Sequence, residues 1–402
     1  MRVLVVTLFA AAAVAAKPAP APAPSDDALH RRAIVIDTHA DTTQLVTYRD
    51  VDISKPQSDT QLDLPRAAAG GLDAQFFSIF VLPKRFKPEQ FYDEAVHQLD
   101  ALDKLAADNP KRLRVARTAA DVRANAKAGV MSALYGLEGG HALLPGDHAA
   151  QLEHLRALAS RGVRYMTLTW INGNDIGGSC GDASDIRGLT PFGAEMVKEM
   201  NKLGVVVDIS HVSDATFWDA IRATSKPVLA THSSARALTN IPRNMTDAML
   251  KAVAANGGAV CVNFGSAFLD DAFHKAEHER VWAKKRSGPP WEMWQQIRAD
   301  ARAIEPPVPL ARLLDHIQHV AKVAGVEHTC LGSDFDGVPA TPVGMEDVSK
   351  LPAITAGLRA RGLSPADVEK ILGGNVLRVL EANEKRWPLP REARECGYLN
   401  KQ

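Results

Sequence analysis

Residues 205–211 read Val-Val-Val-Asp-Ile-Ser-His, and residues 227–234 read Pro-Val-Leu-Ala-Thr-His-Ser-Ser. Each is a short, near-continuous apolar run, rich in β-branched residues, that stops on a histidine. A strand apolar on both faces is buried on both faces, the pattern of a parallel sheet covered by helices. Working outward, similar runs lie at residues 33–37, 74–81, 130–137, 163–169, 259–264 and 329–333, making eight with 205–209 and 227–231. Helical patterns separate most of them, among them residues 147–161, 192–203, 214–224 and 247–256. Eight β-then-α units predict an α/β fold, a closed (β/α)8 TIM barrel rather than an open doubly wound sheet. No Gly-x-Gly-x-x-Gly follows the first run, which removes the usual signature of dinucleotide binding.

The ends of the runs carry the chemistry. The first leads into Asp37-Thr38-His39-Ala40-Asp41, where side-chain alternation along an extended chain would send His39 and Asp41 the same way. The third ends in Glu138-Gly139-Gly140, the fifth in His211, the sixth in His232 and the eighth in Asp334-Phe335-Asp336. Five strands thus bring metal-compatible side chains to the C-terminal face, where barrel enzymes keep their active sites. Histidines and carboxylates without cysteine suit zinc, with manganese or cobalt as chemical substitutes. The set is larger than one four-coordinate ion with an open position can use, so two zinc ions bridged by Glu138 are expected. Ions about 3.5–4 Å apart can hold a hydroxide between them and polarise a carbonyl or phosphoryl oxygen.

Composition narrows the partners. Lys+Arg and Asp+Glu both number 47, so there is no global basic field to collect nucleic acid or anionic membrane, and a small-molecule substrate is expected. Arg2, the apolar residues 3–13 and the small residues Val14 and Ala16 read as a signal peptide over residues 1–16, hence an exported protein, periplasmic or secreted. An Ala/Pro linker over 17–27, the barrel over 28–390 and a tail over 391–402 complete the division. No other stretch reads as a membrane span; a homodimer is compatible with the sequence. Residues 270–309, charged, Trp-bearing and Pro-rich, form an insertion after the seventh strand that reads either as a lid over the site or as a peripheral decoration. Cys261 and Cys330 fall in apolar strands and are expected to be buried and reduced, whereas Cys180 and Cys396 fall in loops and are the expected pair if any disulfide forms.

The chain resembles the membrane (renal) dipeptidases, a branch of the amidohydrolase-like metal-dependent hydrolases. The resemblance runs over residues 30–385. It rests on Ile36-Asp37-Thr38-His39-Ala40-Asp41, Gly71-Leu72-Asp73-Ala74-Gln75-Phe76, Gly136-Leu137-Glu138-Gly139-Gly140-His141 and Asp208-Ile209-Ser210-His211-Val212-Ser213. It continues through His232-Ser233-Ser234-Ala235, Arg243-Asn244, Val262-Asn263-Phe264 and Gly332-Ser333-Asp334-Phe335-Asp336-Gly337-Val338. It implies that His39 and Asp41 bind one zinc, His211 and His232 the other, and that Glu138 bridges. It also implies a proton-transferring role for Asp334 and a grip by Arg243 on the carboxylate of a dipeptide substrate. Where members of the family place an oxyanion-binding histidine, this chain has Trp170, followed by Asn172. An indole donates an N–H but carries no charge, so either Trp170 or Asn172 contacts the substrate and holds the oxyanion in part, or the site is tuned to another amide or a lactone, such as a modified dipeptide or cyclic amide, the alternative activity.

Two motifs point elsewhere. Gly177-Gly178-Ser179-Cys180-Gly181 fits a serine-hydrolase nucleophile elbow but lacks an abutting strand. His274-Lys275-Ala276-Glu277-His278 fits an inverted zincin motif inside a heavily charged, solvated segment. His148, His154, His316 and His319 fall in helical patterns and are expected to face solvent, and His141 is placed either at the site or in a structural loop.

Overall fold

A computed structural model describes residues 25–182 and 187–384. The expected signal peptide, most of the expected linker, the tail and Cys396 lie outside the described residues. The strands are β1 (Ile36–Ala40), β2 (Ala74–Phe80), β3 (Leu113–Val115), β4 (Met131–Glu138), β5 (Val163–Thr167), β6 (Val206–Asp208), β7 (Leu229–Ala230), β8 (Ala259–Val262) and β9 (Thr329–Leu331). All pair in parallel, in the order β2-β1-β9-β8-β7-β6-β5-β4, and β2 pairs with β4 to close the ring. The eight-stranded barrel is therefore as the apolar runs require. The ninth strand, β3, was not expected. It lies beside Met131 to Ala133 on the flank of β4 that β5 reaches only from Tyr135 onward, so it satisfies backbone groups that would otherwise be open.

Burial of the strands is nearly complete on both faces. One apolar set, including Ile36, Phe76, Leu134, Tyr165, Val206, Leu229, Cys261 and Cys330, forms a cluster separate from the larger core. Along β2, β5 and β6 the same two-residue period then delivers Ser78, Thr167 and Asp208 one layer higher, and on β4 Glu138 follows Leu134 by two such periods, so the barrel interior turns from apolar to polar toward its C-terminal end.

The cysteines correct the sequence reading. Cys261 and Cys330 are buried but joined as a disulfide, because they are direct register partners on β8 and β9 with Cα atoms 4.0 Å apart. Cys180 is free among the described residues. His316 is likewise not on the solvent face. It is fully buried and accepts the Ala235 N–H at Nδ1 (3.1 Å), with Nε2 3.1 Å from the Leu269 carbonyl oxygen.

The insertion leaves the end of β8 through helices Ser266–Leu269 and Asp271–Glu277, continues into helix Pro290–Arg302, and returns to the helix Leu310–Val323. Its far side reaches the β1–β2 connection, where Arg298 Nη1 donates to the Asp59 carbonyl (2.9 Å) and Arg49 lies over the Trp291 ring. Because β9 lies between β8 and β1 in the ring, this path takes it across the C-terminal end of β9. No described helix is long and apolar enough to cross a membrane.

Candidate active site

His39 reaches the site through a β-bulge rather than by simple alternation. Between Asp37 and Ala40, β1 carries one residue more than β2 opposite it, and such bulges re-aim side chains at barrel rims. Asp41 follows as the N-cap of helix Thr42–Arg49, yet its carboxylate makes no cap bond. His211 and Asp334 sit just past their strands in left-handed backbone, at φ 66° and 61°. Glu138 is the last residue of β4, and Gly139 after it, at φ 92°, leaves the space into which the His141 ring packs.

These side chains converge. Glu138 Oε2 lies 3.5 Å from His39 Nε2, while its Oε1 lies 3.1 Å from His211 Nε2 and 3.6 Å from His232 Nε2. His39 Nε2 is also 3.9 Å from Asp41 Oδ1 and 4.0 Å from Asp334 Oδ1. His39, Glu138 and His232 form one group able to hold a metal ion, and His39, Asp41 and Asp334 a second.

Supporting contacts fix which nitrogen faces the centre. Asp208 accepts from Thr231 Oγ1 (2.7 Å), and His232 Nδ1 lies 2.7 Å from that same oxygen, so Nδ1 carries the proton and Nε2 presents its lone pair. His39 Nδ1 meets the Tyr165 hydroxyl at 2.9 Å, and Ser78 donates to Glu138 Oε2 at 3.0 Å. Sequence reading missed Tyr165, Ser78 and Asp208 in these roles. A signal existed for Tyr165: Gly136 inside β4 marks a close approach, since a Cβ there would overlap the Tyr165 ring.

The donor set fits a divalent metal. His39 Nε2 and Asp41 Oδ1 are buried with no hydrogen-bond partner among the described residues, and His211 and His232 aim Nε2 atoms at each other 2.9 Å apart. The electrostatics agree. Burial opposes charge on His39, yet Glu138, Asp41 and Asp334 hold its pKa up at about 10. Burial and the Glu138 charge push Asp41 well above the usual carboxylate range. Burial, then the charge on His39 and Arg243, pushes His232 well below the imidazole range. Without a cation the cluster limits its buried negative charge by favouring the protonated forms of His39 and Asp41.

Arg243 lies in the loop after β7. Its Nη1 donates to Ser233 (2.8 Å), while Nε and Nη2 are buried without partners among the described residues. Its positive charge lowers the pKa of both His211 and His232, after the larger effect of burial. Asp247 pairs with His319 instead. Trp170 packs against Phe80, ring centroids 4.6 Å apart. Asn172 turns its Nδ2 to the Gly173 carbonyl and lines a pocket of about 170 Å³ with Phe91, Gly140, His141 and Leu144, which includes none of the metal-compatible side chains. His141 is a loop brace, with Nε2 2.8 Å from the Val81 carbonyl oxygen. Ser179 donates to the Trp170 and His211 carbonyls, a loop-pinning role. In the other motif, Glu277 accepts from Trp282 Nε1 (2.9 Å), and neither it nor His274 joins a metal-compatible group among the described residues.

A parallel barrel with imidazoles and carboxylates gathered at its C-terminal face defines a metal-dependent hydrolase. The family model for membrane dipeptidases (peptidase family M19) matches residues 25–388, and the chain belongs to that family, an enzyme of the metal-dependent dipeptidase class. It is 33% identical over 364 residues to the dipeptidase tcpJ of Claviceps purpurea, spanning 87% of this chain and 76% of that one. A metallopeptidase from Rhodobacter sphaeroides, solved with a phosphinate mimic of the dipeptide L-Ala-D-Ala, is 27% identical with a TM-score of 0.72, over 88% of this chain and all of the other (100%). The probable dipeptidase PvdM from Pseudomonas aeruginosa is 26% identical with a TM-score of 0.75, over 90% and 98% of the two chains.

Proposed function

We propose that this chain is an exported dipeptidase that uses two zinc ions, one held by His39 and Asp41, the other by His211 and His232, with Glu138 bridging. The observation that carries the reading is the division of Glu138, one oxygen toward His39 and the other toward His211 and His232. When bound, the metal pair supplies Lewis acidity and makes water nucleophilic at neutral pH. Arg243 then grips the substrate carboxylate with its unpartnered guanidinium N–H groups and fixes the scissile carbonyl over the centre. Asp334, with Oδ2 held by Asn263 Nδ2 (2.8 Å), keeps Oδ1 toward the centre, where it takes a proton from the attacking water and delivers it to the leaving amine. Trp170, uncharged and packed on Phe80, favours a second reading in which the same centre opens another amide or a lactone. Asn172, turned toward Gly173, leaves Trp170 as the residue in this segment that would contact a developing oxyanion. Export rests on residues 1–16, and a homodimer is compatible with this reading.

The test uses a dipeptide and its C-terminally amidated analogue. Arg243→Lys should lower kcat/KM for the free dipeptide by about tenfold or more, because an ammonium cannot reproduce the planar fork. The amidated substrate should change little. Equal losses on both would assign Arg243 to folding, and a wild type that prefers the amide or a lactone would replace the dipeptidase reading with the second one.

A further inference from the structure

The turn that carries Asp334 has an uncommon shape. Asp334 and Asp336 both adopt left-handed backbone, at φ 61° and 66°, and such conformations persist only where the surroundings over-determine them. At one end the Asp334 N–H donates to the His39 carbonyl (3.0 Å) and Asn263 holds the side chain. The other end is held from outside the barrel strands. Asp336 accepts from Thr42 Oγ1 and from the Gln61 N–H, both at 2.7 Å, and its own N–H donates to Gln61 Oε1 at 2.9 Å. Its side chain is only 1% exposed, so burial penalises its charge and a nearby cation offsets that penalty.

Arg298 supplies that cation from the insertion. Its side chain is 7% exposed, and Nη1 lies 3.9 Å from Asp336 Oδ1 while donating to the Asp59 carbonyl. This is the one ion pair of Asp336 among the described residues. We propose that Arg298 is a positioning residue for the reaction: through Asp336 it fixes the turn that aims Asp334, and the insertion is a strap that sets the geometry of proton transfer. In this role the insertion is neither a lid nor a peripheral decoration, an inference that rests on the reading of Asp334 as proton carrier.

The experiment compares zinc-loaded wild type, Arg298→Met, Asp336→Asn and the double variant on one dipeptide. Arg298→Met should lower kcat by about tenfold or more, with KM within about threefold and zinc content unchanged, the signature of lost transition-state geometry. In the Asp336→Asn background the same change should alter kcat by less than about threefold, since Arg298 acts through that carboxylate. Arg298→Met with near-wild-type kcat overturns the proposal, as does a parallel fall of kcat and zinc content. Should Arg298→Met not accumulate as folded protein, the Asp336→Asn background decides, and a tenfold loss there overturns it. A wild type without dipeptide turnover removes the functional reading and this proposal together; an active wild type beside an equally active variant removes this proposal alone.

Discussion

Asp73 closes the turn into β2 with a carboxylate largely withdrawn from water. Its Oδ2 accepts the Val35 N–H at 2.9 Å, but burial outweighs that bond and raises the pKa to about 6. The folded state therefore binds a proton more readily than the unfolded chain, so the contribution of Asp73 is fully favourable below about pH 4 and is lost as pH rises through about 6. Asp73→Asn keeps an acceptor for Val35 and removes the charge. It should stabilise the fold by about 1–2 kcal/mol at pH 8, after discounting for partial exposure, and by little at pH 4. Denaturant titrations at the two pH values check this, and an equal effect at both would assign the change to packing. At the metal-compatible centre the balance runs the other way, toward chemistry over stability. His211, Asp334 and Asp336 are three of the four non-glycine residues with positive φ among the described residues, each costing on the order of 1 kcal/mol.

Among the elements, apolar continuity made the eight barrel strands legible, because a strand buried on both faces has no other way to look. β3 was not legible: Leu113-Arg114-Val115 is three residues long and runs buried, exposed and half-buried, a pattern shared with any loop. The strand ends that carry the metal-compatible side chains were legible from residue type, while the bulge that aims His39 was not, since one extra residue leaves no mark in composition. The Cys261–Cys330 disulfide was missed because the register of β8 against β9 decides it. That bridge lies two residues before Asn263 and four before Asp334, the pair that meets above it. Cys261→Ala/Cys330→Ala should lower stability by about 2–4 kcal/mol, the usual range for a bridge closing a loop of this size. Thiol titration of the denatured, unreduced wild type should find at most two free thiols. Four would remove the bridge.

At the scale of the whole molecule, the barrel gathers three carboxylates and three imidazoles into one buried region, and folding has to balance their charge. In the metal-free site Glu138, Asp41 and Asp334 hold a proton on His39 up to about pH 10. On the proposed ligand assignment a divalent cation takes the His39 lone pair, so binding would expel that proton, and affinity should rise with pH up to about 10 and weaken as pH falls. Since the metal binds only the folded chain, chelation should lower the melting temperature, and zinc at about a thousandfold its dissociation constant should return about 4 kcal/mol. Both effects are measurable on the same chelated protein. Thermal scans with and without zinc give the first. Calorimetric titration with zinc at pH 7.5, in two buffers of different ionisation enthalpy, gives the second as the number of protons released. At least one proton per chain is expected. None released would mean either that His39 is already neutral at pH 7.5 before loading or that it stays protonated and is no ligand, and both outcomes overturn the proton-coupled binding.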